Sequence, residues 1–253
     1  MKFVRFTVES EVFTGVLSSE EIQVVSGDIF GEWDYTGRLF SYHDVQILAP
    51  LEPNQVIGIG ANFVTSVEEL PEKSPELPVF FFKPTSSVIG PDEEIVIPEA
   101  IEQVKFESEL AVVIGKEAKD VEEPDVFDYV FGYTIANDVT APQFFHEDGH
   151  WMIGKSFDTF TPLGPCIETE LDPLNVFVEA KVNGNEKQNS PTHLMIVSIQ
   201  KMISYLSRVM TLKPGDVILT GSPVGAELVG DGAVIECEIK EIGVLGNHFV
   251  KRK

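Results

Sequence analysis

The chain has 253 residues, 43% hydrophobic and 23% charged, so it can bury one sizeable core and disorder is excluded as its main state. Its 41 acids against 18 lysines and arginines give a formal charge of −23, which repels phosphate and excludes nucleic acid and anionic membrane surfaces as partners. Two cysteines only, Cys166 and Cys237, and no apolar run of about 18 residues point to a soluble, cytoplasmic protein.

In chain order, the first fifty residues alternate short β-rich runs with polar turns. Val4–Val8 and Glu11–Leu17 read as a hairpin, and Glu21–Val25 follows, with its turn at Ser26–Asp28. These runs hold little that could do chemistry, so residues 1–50 are expected to form a small β-rich N-terminal domain. Pro50 and Pro53 stiffen the junction to a second domain, residues 51–253. There Gln55–Gly60 reads as a strand and Val67–Leu70 as a short helix. Val79–Phe82, Leu110–Ile114 and Val130–Ile135 are compact apolar runs whose length suits buried strands. Glu122–Val130 and Met195–Met210 are helix candidates, the second apolar at Ile196, Ile199, Ile203, Leu206 and Val209 and followed by a turn at Pro214-Gly215. Val217–Thr220 and Ala233–Ile239 complete the strands. The expected fold class is mostly β, mixed α+β.

The sharpest local feature is Phe106-Glu107-Ser108-Glu109-Leu110, at the head of an apolar strand. Alternate strand residues share a face, so Glu107 and Glu109 project together and repel unless one is protonated or a cation lies between them. A hard divalent ion such as Mg2+ favours such oxygens, while a solvated edge with two exposed acids is the plain alternative. Asp138 ends the almost uncharged run Tyr129–Asn137 and needs a partner, either a cation or the N–H groups of a turn. Lys155 is an isolated base within Trp151–Phe160, suited to a substrate oxygen or to pairing with an acid. Thr220-Gly221-Ser222-Pro223 follows a strand and offers a hydroxyl and backbone N–H groups to a carboxylate, without the Gly-Lys-Ser/Thr ending of a phosphate loop. His146 and His150 stand four apart, but Gly149 and the neighbouring acids suit a loop better than a zinc-binding helix.

In this order the segments resemble the fumarylacetoacetate hydrolase family over about residues 50–250. The motifs are Gly58-Ile59-Gly60-Ala61-Asn62-Phe63, Phe82-Lys83-Pro84-Thr85-Ser86-Ser87-Val88-Ile89-Gly90 and Glu107-Ser108-Glu109-Leu110-Ala111-Val112-Val113-Ile114-Gly115. Gly132–Ala141, Gly154–Phe160 and Pro214–Pro223 close the set. The Phe157-Asp158-Thr159-Phe160 and Ser86–Gly90 stretches look most like the branch associated with oxaloacetate and acylpyruvate chemistry. The resemblance implies a β-roll catalytic domain, a metal at its mouth (Mg2+ or Mn2+), and a homodimer. It assigns Glu107, Glu109 and Asp138 as metal ligands, Lys155 to the substrate or its developing enolate, and Thr220 with Gly221 to a substrate carboxylate.

Two departures bear on the reaction. Where hydrolytic members carry Asn-Tyr-x-x-His-x-x-Glu, this chain reads Asn62-Phe63-Val64-Thr65-Ser66-Val67-Glu68-Glu69. The glutamate is kept as Glu69, but Ser66 replaces the histidine and is a poor base near neutral pH. After Asp138-Val139-Thr140-Ala141 the family shows Arg-Asp, and here Pro142-Gln143 stand instead. The expectation is therefore a Mg2+-dependent enzyme acting on a small 2-oxo mono- or dicarboxylic acid through a metal-stabilised enolate. Decarboxylation or tautomerisation/isomerisation is favoured, on an oxaloacetate-like or 2-hydroxyhepta-2,4-diene-1,7-dioate-like substrate, with Lys155 and Glu69 as catalytic groups. The alternatives are a C–C bond hydrolase of the acylpyruvate or fumarylacetoacetate type, with Glu69 its first candidate base, and a non-catalytic 2-oxo acid binder.

Overall fold

The structure is a computed structural model describing residues 1–252. Five strands come first: β1 (Lys2–Val8), β2 (Glu11–Ser18), β3 (Glu21–Gly27), β4 (Trp33–Ser41) and β5 (Gln46–Ile47). Then follow β6 (Val56–Ile59), β7 (Phe80–Lys83), β8 (Val88–Ile89), β9 (Glu94–Val96), β10 (Gln103–Lys105), β11 (Ser108–Ile114) and β12 (Val130–Asn137). After them come β13 (Thr161–Glu168), β14 (Phe177–Val182), β15 (Asn185–Pro191) and the helix α1 (Ile199–Val209). The chain ends on β16 (Val217–Leu219), β17 (Leu228–Gly230), β18 (Val234–Ile239) and β19 (Gly243–Val250). The class is mostly β, mixed α+β, as the alternating apolar runs require.

One long sheet runs in the order β4-β3-β2-β1-β13-β12-β11-β16-β6-β7, and a second, five-stranded sheet runs β15-β14-β18-β19-β9. The N-terminal meander joins the long sheet through β1, which pairs with β13 at Lys2–Glu168 and Phe3–Ile167. Strand β11 lies at the centre, and all seven of its residues are buried. Its alternate side chains serve two cores. Leu110, Val112 and Ile114 face a core shared with the second sheet and α1, whereas Ala111 and Val113 face one shared with Phe3, Val16 and Val217. A strand buried on both faces must read as a continuous apolar run, and this one does.

Two helix expectations are corrected. Residues Glu123–Tyr129 form 3-10 turns, with Pro124 near their start and Val126 their only buried residue. With no apolar stripe to bury, the segment has nothing to hold a regular α-helix. The second helix begins at Ile199 rather than Met195, because Ser198 takes the N-cap position and accepts from the Lys201 N–H at 3.2 Å. Val67–Glu69 is a single 3-10 turn. Strands β13, β14, β15 and β19 escape the sequence reading, since their runs mix glycine, proline and charge with the apolar residues.

Candidate metal and substrate site

Glu107, Glu109 and Asp138 meet where β11 begins and its antiparallel neighbour β12 ends. Ser108 is registered with Asn137, and two bonds tie the open end beyond that pair. The Asp138 N–H donates to the Glu107 carbonyl at 2.8 Å, and the Glu107 N–H donates to Asn137 Oδ1 at 2.9 Å. One carboxylate oxygen from each of the three acids lies within 4.8 Å of the others. Glu109 and Asp138 are buried and Glu107 is half-buried. The three acids face a cavity of about 450 Å³.

Three lysines surround the acids. Lys155 Nζ donates to Glu107 Oε2 at 2.7 Å, to Thr140 Oγ1 at 2.9 Å and to Asp138 Oδ2. Lys83, wholly buried at the end of β7, donates to Asp138 Oδ1 at 2.6 Å, the Lys155 carbonyl at 2.8 Å and the Val139 carbonyl at 3.2 Å. Lys105 donates to Glu107 Oε1 at 2.8 Å from the cavity rim. Burial alone would raise the Asp138 pKa, but Lys155 and Lys83 outweigh it and hold the carboxyl below its ordinary range. Burial alone would lower Lys155, yet Asp138 and Glu107 keep it above the usual lysine range and so protonated. Glu109 behaves oppositely. Burial first, then repulsion by Asp138 and Glu107, push it well above the ordinary carboxylate range. Its one hydrogen-bond donor is the Gly221 N–H at 2.6 Å.

This imbalance is the test of whether a divalent cation fits. Three converging oxygens of a hard-donor set, with one carboxylate left almost uncompensated, provide the chemistry that Mg2+ or Mn2+ selects. The thiols of Cys166 and Cys237 do not line the cavity, and burial pushes both up to about 12.

The remaining sequence-derived residues fall in different places. Thr220 is buried, and its hydroxyl donates to the Leu110 carbonyl at 2.8 Å, so Thr220 and Gly221 fasten the loop after β16 to β11 rather than lining the cavity. Glu69 is exposed on its 3-10 turn and also absent from the cavity lining. Its carboxylate accepts from the Thr65 N–H at 2.9 Å and the Thr65 hydroxyl at 2.7 Å. These two bonds hold it below the ordinary glutamate range. His146 and His150 sit on the exposed loop beside the cavity.

Sequence reasoning missed four contributors. Lys83 had a signal: a lone base ending Phe80-Phe81-Phe82 must be buried with an acid. Lys105 had another, since it shares strand parity with Glu107 and Glu109. Trp151 forms an apolar wall with Phe145 and packs so closely on Gly60 that a Cβ there would meet its ring at 2.1 Å. Gln188 on β15 left no trace in the sequence. Its Nε2 donates to the Pro223 carbonyl at 2.6 Å and to Ser222 Oγ at 2.7 Å, while its Oε1 accepts from the Ser108 N–H at 3.1 Å. It thereby ties the residue between the two glutamates to the Ser222–Ala226 cavity wall. Asn62 makes a similar clasp. Its Nδ2 donates to the carbonyls of Thr220 at 2.8 Å and Val197 at 3.1 Å, and its Oδ1 accepts from the Val197 N–H at 2.8 Å. Gly221, at φ +94°, lies so near that a Cβ on it would stand 2.6 Å from that of Asn62.

Comparison with known proteins gives this geometry a context. The family described as fumarylacetoacetate (FAA) hydrolase, C-terminal, matches residues 55–250, and the one described as Rv2993c-like, N-terminal, matches residues 1–50. A relative from Xenopus laevis named oxaloacetate tautomerase fahd2, mitochondrial, is 40% identical over 230 residues, covering 86% of this chain and 72% of its own. A crystal structure of 5-carboxymethyl-2-hydroxymuconate delta-isomerase from Mycobacterium smegmatis superposes with a TM-score of 0.93 at 38% identity over all of both chains. A maleylpyruvate hydrolase from Sphingobium sp. SYK-6, in complex with manganese (II) ion and pyruvate, superposes with a TM-score of 0.82 at 28% identity, again over all of both chains. With a family match across most of the chain and relatives near 40% identity over most of its length, this protein belongs to the fumarylacetoacetate hydrolase family.

Proposed function

We propose that the protein is a divalent-metal-dependent tautomerase or isomerase of a small 2-oxo acid, working through an enolate. The observation that carries this reading is the acid triad facing a cavity whose lining, among the described residues, includes no histidine and excludes Glu69. Glu107, Glu109 and Asp138 would hold the cation, which when bound supplies electrophilic stabilisation to an oxygen gaining charge. Lys83 and Lys155 keep Asp138 ionised and fixed in direction. Lys155, kept protonated, presents positive charge to the cavity rather than a lone pair, so it stabilises a developing enolate instead of deprotonating water. Hydrolysis of a C–C bond needs a base for water, and Ser66 with the outward-held Glu69 offers a weak one. Relatives named as an oxaloacetate tautomerase and a hydroxymuconate isomerase favour the same side of that choice.

The test is relaxation of the oxaloacetate keto–enol ratio, followed by ultraviolet absorbance with Mg2+, with Mn2+ and with chelator, beside assays of oxaloacetate decarboxylation and acetylpyruvate cleavage. Metal-dependent relaxation faster than either of the other two is expected. Relaxation at the uncatalysed rate together with efficient acetylpyruvate cleavage would make the protein a hydrolase. Assembly as a homodimer belongs to the same proposal, and sedimentation velocity measures it.

A further inference from the structure

The three lysines around the acid triad differ in how many N–H bonds they have left. An ammonium carries three donors. Lys155 gives its three to Glu107, Asp138 and Thr140. Lys83 gives its three to Asp138 and the carbonyls of Val139 and Lys155. Lys105 gives one, to Glu107 Oε1, and no second acceptor lies in reach among the described residues. Its side chain is 36% exposed and borders the cavity, so two donors remain for a ligand.

The backbone holds Lys105 in place. Its N–H donates to the Thr140 carbonyl at 2.7 Å and its carbonyl accepts from the Thr140 N–H at 2.9 Å, a two-bond bridge to the segment that follows Asp138. The neighbouring Gln143 amide donates to the Gln103 carbonyl at 3.0 Å, extending the same seam. Lys105 therefore stands beside Thr140–Gln143, on the rim opposite the apolar wall of Phe145 and Trp151 in kind if not in position: one offers charge, the other none.

Charge points the same way. The three carboxylates are matched by the three ammoniums, and a divalent cation then leaves two positive charges for the ligand to neutralise. A dianion does so, and a 2-oxo acid with a second carboxylate is one. The geometry points to Lys105 as the specificity residue of this site: its two free N–H groups receive the second carboxylate of a 2-oxo diacid. This rests on the metal-dependent 2-oxo acid reading above and adds the residue that selects among such acids.

The test is calorimetric and needs no turnover. Malate is lactate with a carboxylate replacing one methyl hydrogen, and neither reacts, so their binding at saturating Mg2+ isolates the second carboxylate. For Lys105→Met, malate affinity is expected to fall at least about 10-fold, equivalent to about 1.4 kcal/mol, with lactate unchanged. Lys105→Arg should restore malate to within about 3-fold. Equal weakening of both ligands, an unchanged malate affinity, or no malate binding by the unaltered protein would each overturn the assignment. Failure of the tautomerase reading looks different: no acceleration of oxaloacetate relaxation by the unaltered protein, whatever the malate titration gives.

Discussion

Two glutamate pairs, one lining the cavity and one outside it, meet opposite fates. Glu107 and Glu109 alternate at the head of a strand entering the core, so they share a face with Asp138, and the buried Glu109 has no water to relieve its repulsion. Glu68 and Glu69 are adjacent on an exposed 3-10 turn, where Ser66 and Thr65 supply local hydrogen bonds that lower both. In the first pair the lysines satisfy Glu107 but leave Glu109 with one N–H donor and a raised pKa. The second pair is already satisfied by its neighbours. Residue type is identical; spacing and burial decide which acids are left with unrelieved charge.

The comparison is broken most forcefully at Asp138. Asp138→Asn should cost about 10³ in tautomerisation rate, weaken Mn2+ binding in a calorimetric titration, and lower stability by about 3–5 kcal/mol, because Lys83 stays buried without its anion. Full activity in that variant would remove the triad from the chemistry.

Gln188 tests whether the buried pair needs its scaffold. Gln188→Leu leaves the buried Ser108 N–H unpaired, at about 1–3 kcal/mol, and frees the Ser222–Ala226 wall. KM should rise about 10-fold with kcat held within about 3-fold, since the wall lines the cavity while the triad stays. Equal losses in kcat would mean that Glu109 itself had moved.

Asp216 is the intermediate case. It is buried beside β16, with one oxygen accepting from Lys213 N–H and Gln55 Nε2 and the other unpartnered. Burial raises its pKa although both bonds oppose the rise. A folded value above the unfolded one means that the folded state holds the proton more tightly. Its stabilising contribution is complete below the unfolded value of about 3.9 and lost as pH rises through the folded value. Asp216→Asn should flatten that part of a denaturation-midpoint profile measured against pH.

Glu69→Gln sits at the other end of the scale. Its carboxylate is occupied by Thr65 outside the cavity, so tautomerisation should stay within about 3-fold of the unaltered rate. A loss comparable to that of Asp138→Asn would return Glu69 to catalysis and require its turn to close over the triad.

Much of this was legible in the chain. The apolar runs at Leu110–Ile114 and Val130–Ile135 announce central strands because burial on both faces leaves no room for polar alternation. Glu107, Glu109 and Asp138 were visible as acids forced into that apolar setting. What stayed hidden came from pairings across long separations. Gln188 reaches Ser108 over 80 positions and Lys83 reaches Asp138 over 55, and no local pattern encodes either contact. Thr220 and Gly221 were legible as a strand-end loop beside the site, but which way the hydroxyl turns is settled by the Leu110 carbonyl, 110 positions away.

The Asn62–Gly221 clasp has a bearing on how such a chain can drift. A side chain at 221 would strike Asn62, and a residue other than asparagine at 62 would strand the Thr220 carbonyl and both backbone groups of Val197. A change at either position therefore disturbs three segments at once, by steric strain from 221 or by lost hydrogen bonds from 62. Segments 58–63, 194–198 and 219–222 thus form one mechanically coupled corner, while the Lys105 side chain on the rim holds the fold by a single bond, to Glu107, and is the cheaper place to retune a ligand.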